Sequence, residues 1–124
     1  MSAVDFLSGA TVHQVRVGYD LRVVVSDAKW LDENDAEIVM EAPCLVTDPD
    51  GTESRVERGK LDTIPALLAL QSHVITEVSH DGALRAAFDD GSTLAIPPLD
   101  EYEAWRIEGP GEKLIVCLPG GELD

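Results

Sequence analysis

The chain has 124 residues and a mass of 13.4 kDa, is 44% hydrophobic, and sets nine Lys plus Arg against 24 Asp plus Glu for a formal net charge of −15. That apolar share is too high for a disordered acidic tail. So negative a surface also excludes nucleic acid and anionic membrane as partners, because both require a basic footprint.

Taken along the chain, Thr11 to Val17 and Leu21 to Val25 alternate apolar and polar residues around Gly18-Tyr19-Asp20, the pattern of a β-hairpin. His13, Val15 and Val17 are expected on the core side with Leu21, Val23 and Val25, leaving Gln14, Arg16 and Arg22 outside. Ala28 to Ala36 reads as a loop carrying Trp30-Leu31 and Asp32-Glu33-Asn34-Asp35, and Glu37 to Met40 as a third strand. After Pro43, Cys44 to Thr47 turns at Asp48-Pro49-Asp50-Gly51 into Thr52 to Glu57. A helix is predicted over about 63–71, with Asp62 as N-cap, Pro65 in the first turn, and Ile64, Leu67, Leu68 and Gln71 as the buried stripe.

Beyond the helix the pattern starts again. Residues 74 to 90 align with 11 to 27 at a shift of 63, with identities at Val15/Val78, Leu21/Leu84, Arg22/Arg85 and Asp27/Asp90. Asp81-Gly82 and Asp90-Gly91 mark the hairpin turns. Thr93 to Ile96 matches the third strand at a shift of 56, so the first copy holds a seven-residue insertion around Trp30. After Pro97-Pro98, Tyr102 to Glu108 and Leu114 to Leu118 are joined by Gly109-Pro110-Gly111. The expected architecture is a single domain over 1–124, mainly β with one helix (α+β). It is a duplicated β-meander forming a sandwich or half-closed barrel, with copies at about 9–60 and 72–121.

Tyr102-Glu103-Ala104-Trp105 followed by Cys117-Leu118-Pro119-Gly120-Gly121 resembles the C-terminal block of a family of short bacterial proteins of unknown function. Gly9 to Val12, Leu67 to Leu70 and Asp81 to Pro97 carry the rest of the resemblance, which spans nearly the whole chain. It implies a domain outline and assigns no catalytic residue. The insertion at Trp30 is where this chain departs from it.

Phosphate-binding loops, nucleophile elbows, His-Glu-x-x-His helices and paired Cys-x-x-Cys are absent from the sequence. Cys44 and Cys117 sit in apolar runs and read as reduced, buried small hydrophobes, as in a cytoplasmic protein. No segment is apolar over the length of a membrane span and no secretory leader is evident at Met1. No two of His13, His73 and His80 show ligand spacing, so no metal or other cofactor is expected. Asp48-Pro49-Asp50-Gly51 lacks the later ligands of a calcium loop and reads as a turn. Trp105 is expected to anchor the core and Tyr102 to close an edge.

Charge is the feature that exceeds a bland expectation. Residues 26–50 hold eight acids against Lys29 alone, and residues 89–112 hold seven against Arg106 alone. Such a field favours a basic protein partner. The leading reading is therefore a non-catalytic acidic binding protein of the immunity or antitoxin kind, which inhibits a basic protein such as a nuclease toxin. Trp30, Asp32, Glu33, Asp35, Glu101, Tyr102 and Glu103 are its expected contact residues. A second reading is a small-molecule-binding or enzymatic β-barrel using His13, His73 or His80. A third is a self-associating accessory domain, a homodimer joined through the edge strand Leu114 to Leu118.

Overall fold

The computed structural model describes residues 3–30 and 35–124. Its strands follow the alternating segments: β1 (Thr11–Val17), β2 (Leu21–Ser26), β3 (Ala36–Met40), β4 (Cys44–Thr47), β5 (Glu53–Val56), β6 (Ile75–His80), β7 (Leu84–Phe88), β8 (Thr93–Ile96), β9 (Trp105–Glu108) and β10 (Leu114–Val116). All pairings between them are antiparallel. One sheet has the order β1-β2-β3-β9-β10 and the other β5-β4-β8-β7-β6. Each sheet thus joins a three-stranded meander from one half of the chain to a hairpin from the other half. The chain changes sheets at Pro43 and at Pro97-Pro98, where a missing N–H ends the ladder.

The sheets meet along one edge and are not closed into a barrel. Their seam is the Thr11–Val74 bridge, extended by Gly9 N–H to Ile75 O at 2.7 Å and Val12 N–H to His73 O at 2.9 Å. Between the sheets the core is filled by side chains including Leu21, Ile38, Met40, Leu84, Leu94, Ile96, Trp105 and Ile107. Burying such aliphatic and aromatic groups contributes about 1.5–3 kcal/mol each before entropy is set against it.

Period-two reasoning fails at one place in each meander. β1 carries an extra residue between Val12 and Gln14, and β6 carries one between Ile75 and Glu77. A bulge turns the next side chain back to the same face. Val12 and Val15 are therefore both buried, whereas His13, expected on the core side, is exposed, and Val17 is 48% exposed. The two bulges lie 63 positions apart.

The helix is shorter than predicted. α1 spans Ile64–Leu68, preceded by a 3-10 turn at Leu61–Thr63 that contains Asp62, which makes no capping bond. Leu70 and Gln71 donate to the third residue back, Leu67 and Leu68, and Ser72 closes the turn at φ 72°. Three residues per turn eclipse positions i, i+3 and i+6. Ile64, Leu67 and Leu70 are consequently the buried set, while Leu68 and Gln71 face outward.

Candidate functional site

The C-terminal motif is a structural clasp. Trp105, the largest fully buried side chain, donates from Nε1 to the Gly82 carbonyl at 3.2 Å, and the Cys117 thiol points to the same oxygen at 3.4 Å. A Cβ on Gly121 would stand 3.0 Å from Gly82 Cα, so only glycine lets these two turns touch. Ala104 O accepts the N–H groups of Glu41 and Ala42. The block thereby ties the β6–β7 turn to the start of β9. Strand β9 begins at Trp105, so Tyr102 precedes it and is 66% exposed. Both thiols are free and buried, and burial pushes Cys44 up to about 12 and raises Cys117, which disfavours the thiolate.

Those of the expected contact residues that the structure describes fall at two ends of one sheet. Trp30 ends a 3-10 turn at Ala28–Trp30 and packs on Phe6 with ring centroids 6.4 Å apart. Lys29 pins that turn through Ser8 O at 2.7 Å and Asp27 at 3.2 Å. Asp35 is exposed just before β3, and with Trp30, Asp27 and Thr11 it lines a groove of about 540 Å³. Asp32 and Glu33 lie outside the described residues. Glu101, Tyr102 and Glu103 are exposed beyond the opposite end of β3, where Met40 pairs with Trp105. Four residue steps along β3 put about 13 Å between the ends. Trp30 and Asp35 therefore stand apart from Glu101, Tyr102 and Glu103, at opposite ends of β3.

Each of the nine cationic side chains already has a partner within the chain. On the outer face of the first sheet, Arg22 reaches Asp20 at 2.9 Å, Glu108 at 3.2 Å and Glu37 at 3.3 Å. Arg106 reaches Glu108 at 2.6 Å and Glu41 at 3.4 Å, and Arg16 reaches Glu37 at 3.2 Å. The Arg22 guanidinium holds Asp20 below its ordinary range, and Arg106 does the same for Glu108. Elsewhere Lys60 and Arg55 share Glu57, Arg58 donates to Tyr19 O and covers its ring, Arg85 faces Asp81, and Lys113 lies over Phe6.

A concave site that the sequence did not disclose lies between the β4–β5 and β7–β8 turns. Asp48 Oδ1 accepts the N–H groups of Asp50 at 3.0 Å and Thr52 at 2.9 Å, and Gly51 takes φ 89°. This is a turn, as expected, with the carboxylate folded onto its own backbone. Asp90 Oδ1 likewise accepts the N–H of Ser92 at 2.9 Å and its hydroxyl, which holds Asp90 below its usual range. Pairing of Thr47 with Thr93 brings the turns together, and α1 closes the third side. The resulting pocket has a volume of about 310 Å³ and includes Asp48, Pro49, Pro65, Ala69, Leu70 and Asp90.

His73 stands beside this pocket, with Nδ1 2.8 Å from Asp89 and Nε2 3.5 Å from Asp90. The three side chains offer ligand atoms within 4.8 Å of one another, a grouping that could hold a metal ion. In the structure both ring nitrogens face carboxylates instead. His13 is exposed on the β1 bulge and His80 is half-buried at the end of β6, so the three imidazoles do not share one pocket lining. Ser92 donates its hydroxyl to the Asp90 carboxylate rather than to an imidazole.

Two antiparallel sheets with one short helix, bearing many more acids than bases, define a small acidic β-protein. The chain belongs to a family of unknown function (DUF6188), matched over residues 4–124. No curated protein and no solved structure matches it. Among the described residues no helix is long and apolar enough to cross a membrane.

Proposed function

We propose that this is a non-catalytic binding protein whose partner is a basic protein, most concretely an immunity or antitoxin protein that covers the cationic active site of a toxin such as a nuclease. One observation carries the reading: all nine cations are engaged inside the chain, so the excess of 24 acids over nine bases is presented to partners unrelieved. Unrelieved surface charge of one sign steers association with an oppositely charged protein by roughly 10- to 1,000-fold. The same reading places it in the cytoplasm of a bacterium, as one domain built from two copies of a meander-plus-hairpin unit. The matched bulges and the like make-up of the sheets support that duplication.

The self-association reading loses much of its edge. Val116 and Asp124 exchange N–H to O bonds at 3.1 and 2.8 Å, and Cys117 bridges Leu123, so the tail covers β10 from Val116 onward.

The experiment is affinity capture from the native cells with mild crosslinking, followed by binding kinetics of the captured partner against salt. A basic partner is expected, with an association rate that falls steeply as salt rises, and falls about tenfold or more for Glu101→Lys with Glu103→Lys. A partner that is neutral or acidic, or rates indifferent to both salt and charge reversal, would overturn the proposal.

A further inference from the structure

We infer that the pocket between the β4–β5 and β7–β8 turns is the seat for one cationic side chain, lysine or arginine, of that basic partner; the inference rests on the binding reading above and locates it. The pocket joins two carboxylates, Asp48 and Asp90, to an apolar wall of Pro49, Pro65, Ala69 and Leu70. This pairing of surfaces matches a side chain with an aliphatic stem and a charged head. Its volume of about 310 Å³ is small, at the bottom of the range for organic ligands, which suits a single side chain rather than a cofactor.

Both acids are set in place before any partner arrives. Asp48 spends Oδ1 on the N–H groups of Asp50 and Thr52, and Asp90 spends Oδ1 on Ser92. The remaining oxygens are thereby held in fixed positions, so binding costs little side-chain ordering. His73 is the neighbour already in contact: its Nε2 lies 3.5 Å from Asp90 Oδ2, longer than the 2.8 Å between its Nδ1 and Asp89, so the Asp90 oxygen is the more readily shared. Ser92, the only buried polar residue among those described, anchors the β7–β8 turn from beneath.

The test is amide NMR titration of the whole protein with N-acetyl amides of arginine, lysine, citrulline and norleucine. The arginine and lysine probes separate the two cationic heads, while citrulline and norleucine are their uncharged counterparts. The cationic probes are expected to shift residues 48–52 and 90–92 with millimolar affinity, and the neutral ones to bind about tenfold more weakly. Asp48→Asn with Asp90→Asn keeps both turns, since asparagine accepts the same backbone bonds, and should weaken the cationic probes about tenfold without moving the rest of the spectrum. Equal binding of charged and neutral probes, or no effect of the paired substitution, overturns the inference. Decaarginine separates its failure from that of the parent reading. Salt-sensitive binding whose shifts fall on other loops sinks the pocket alone, while no binding at all sinks both.

Discussion

The outer faces of the two sheets share one backbone plan and finish in opposite ways. Across the first sheet, strand register aligns Arg16, Arg22, Val39, Arg106 and Val116 in one row and Gln14, Val24, Glu37, Glu108 and Leu114 in the next. Across the second, the corresponding rows are Ser79, Arg85, Ala95, Leu45 and Arg55, then Glu77, Ala87, Thr93, Thr47 and Glu53. On the first face, Val24 and Val39 lie outside the core cluster yet are 2% and 0% exposed, with the long side chains of Glu37, Arg22 and Arg106 as their partners in register. On the second, Ser79, Ala87, Thr93 and Ala95 leave a shallow hollow of about 360 Å³, and Arg85 pairs with Asp81 at 3.5 Å. Side-chain length, not backbone geometry, decides which face is sealed.

Removing one arginine from each face breaks the comparison most directly. Arg22→Met should cost about 1–2 kcal/mol, since it strips three carboxylates of a shared partner, while Arg85→Met should stay within about 0.5 kcal/mol. Urea denaturation of both variants checks this, and equal losses would mean that the lattice adds nothing over an exposed pair.

Acid should act next, and on the sealed face above all. Asp20 and Glu108 are held below their ordinary 3.8 and 4.5 by hydrogen bonds from Arg22 and Arg106. A carboxylate depressed in the folded state stabilises the fold above its ordinary value, and that contribution fades as pH falls through the lower, folded value. Unfolding free energy should accordingly decline as pH drops below 4.5 and continue declining below 3.8. In the Arg22→Met, Arg106→Met double variant the decline should be shallower over the same interval, as read by urea titrations at successive pH values. An unchanged slope would remove the arginines as its cause.

The smallest effect tests the hollow. Ala87→Val and Ala95→Val import the residues that stand at the matching places, Val24 and Val39. Without long neighbours to cover them, these valines should change stability by no more than about 0.5 kcal/mol, measured by thermal unfolding. A gain well beyond that would show that the hollow seals itself.

Much of this plan was legible in the residues. Asp81-Gly82 and Asp90-Gly91 mark their turns; alternation picks out the segments of β1, β2, β6 and β7, while the repeat, the prolines and the turn residues point to the other strands. The bulges were hidden because Val12 and Val15 are both apolar, so an extra residue between them leaves no trace in the pattern. The exchange of hairpins was hidden as well. Pro43 and Pro97-Pro98 show that the chain leaves a sheet, but β4 and β9 are equally apolar and fit either destination. The helix stripe was misplaced because its tail tightens to three residues per turn. Taken singly, Asp48 and Asp90 are turn residues; only the β4–β8 pairing brings both to one pocket. Acidic residues on loops could be counted from composition, whereas their distribution at both ends of β3 depended on where β9 docks.

The exchanged hairpins have one more outcome. Neither half of the polypeptide owns a complete sheet, so nicking the backbone near Gly59 should leave two pieces that are each incomplete and jointly sufficient. Such pieces would find one another by mass action, and a lone first or second piece could satisfy itself only by lending its hairpin to an identical copy.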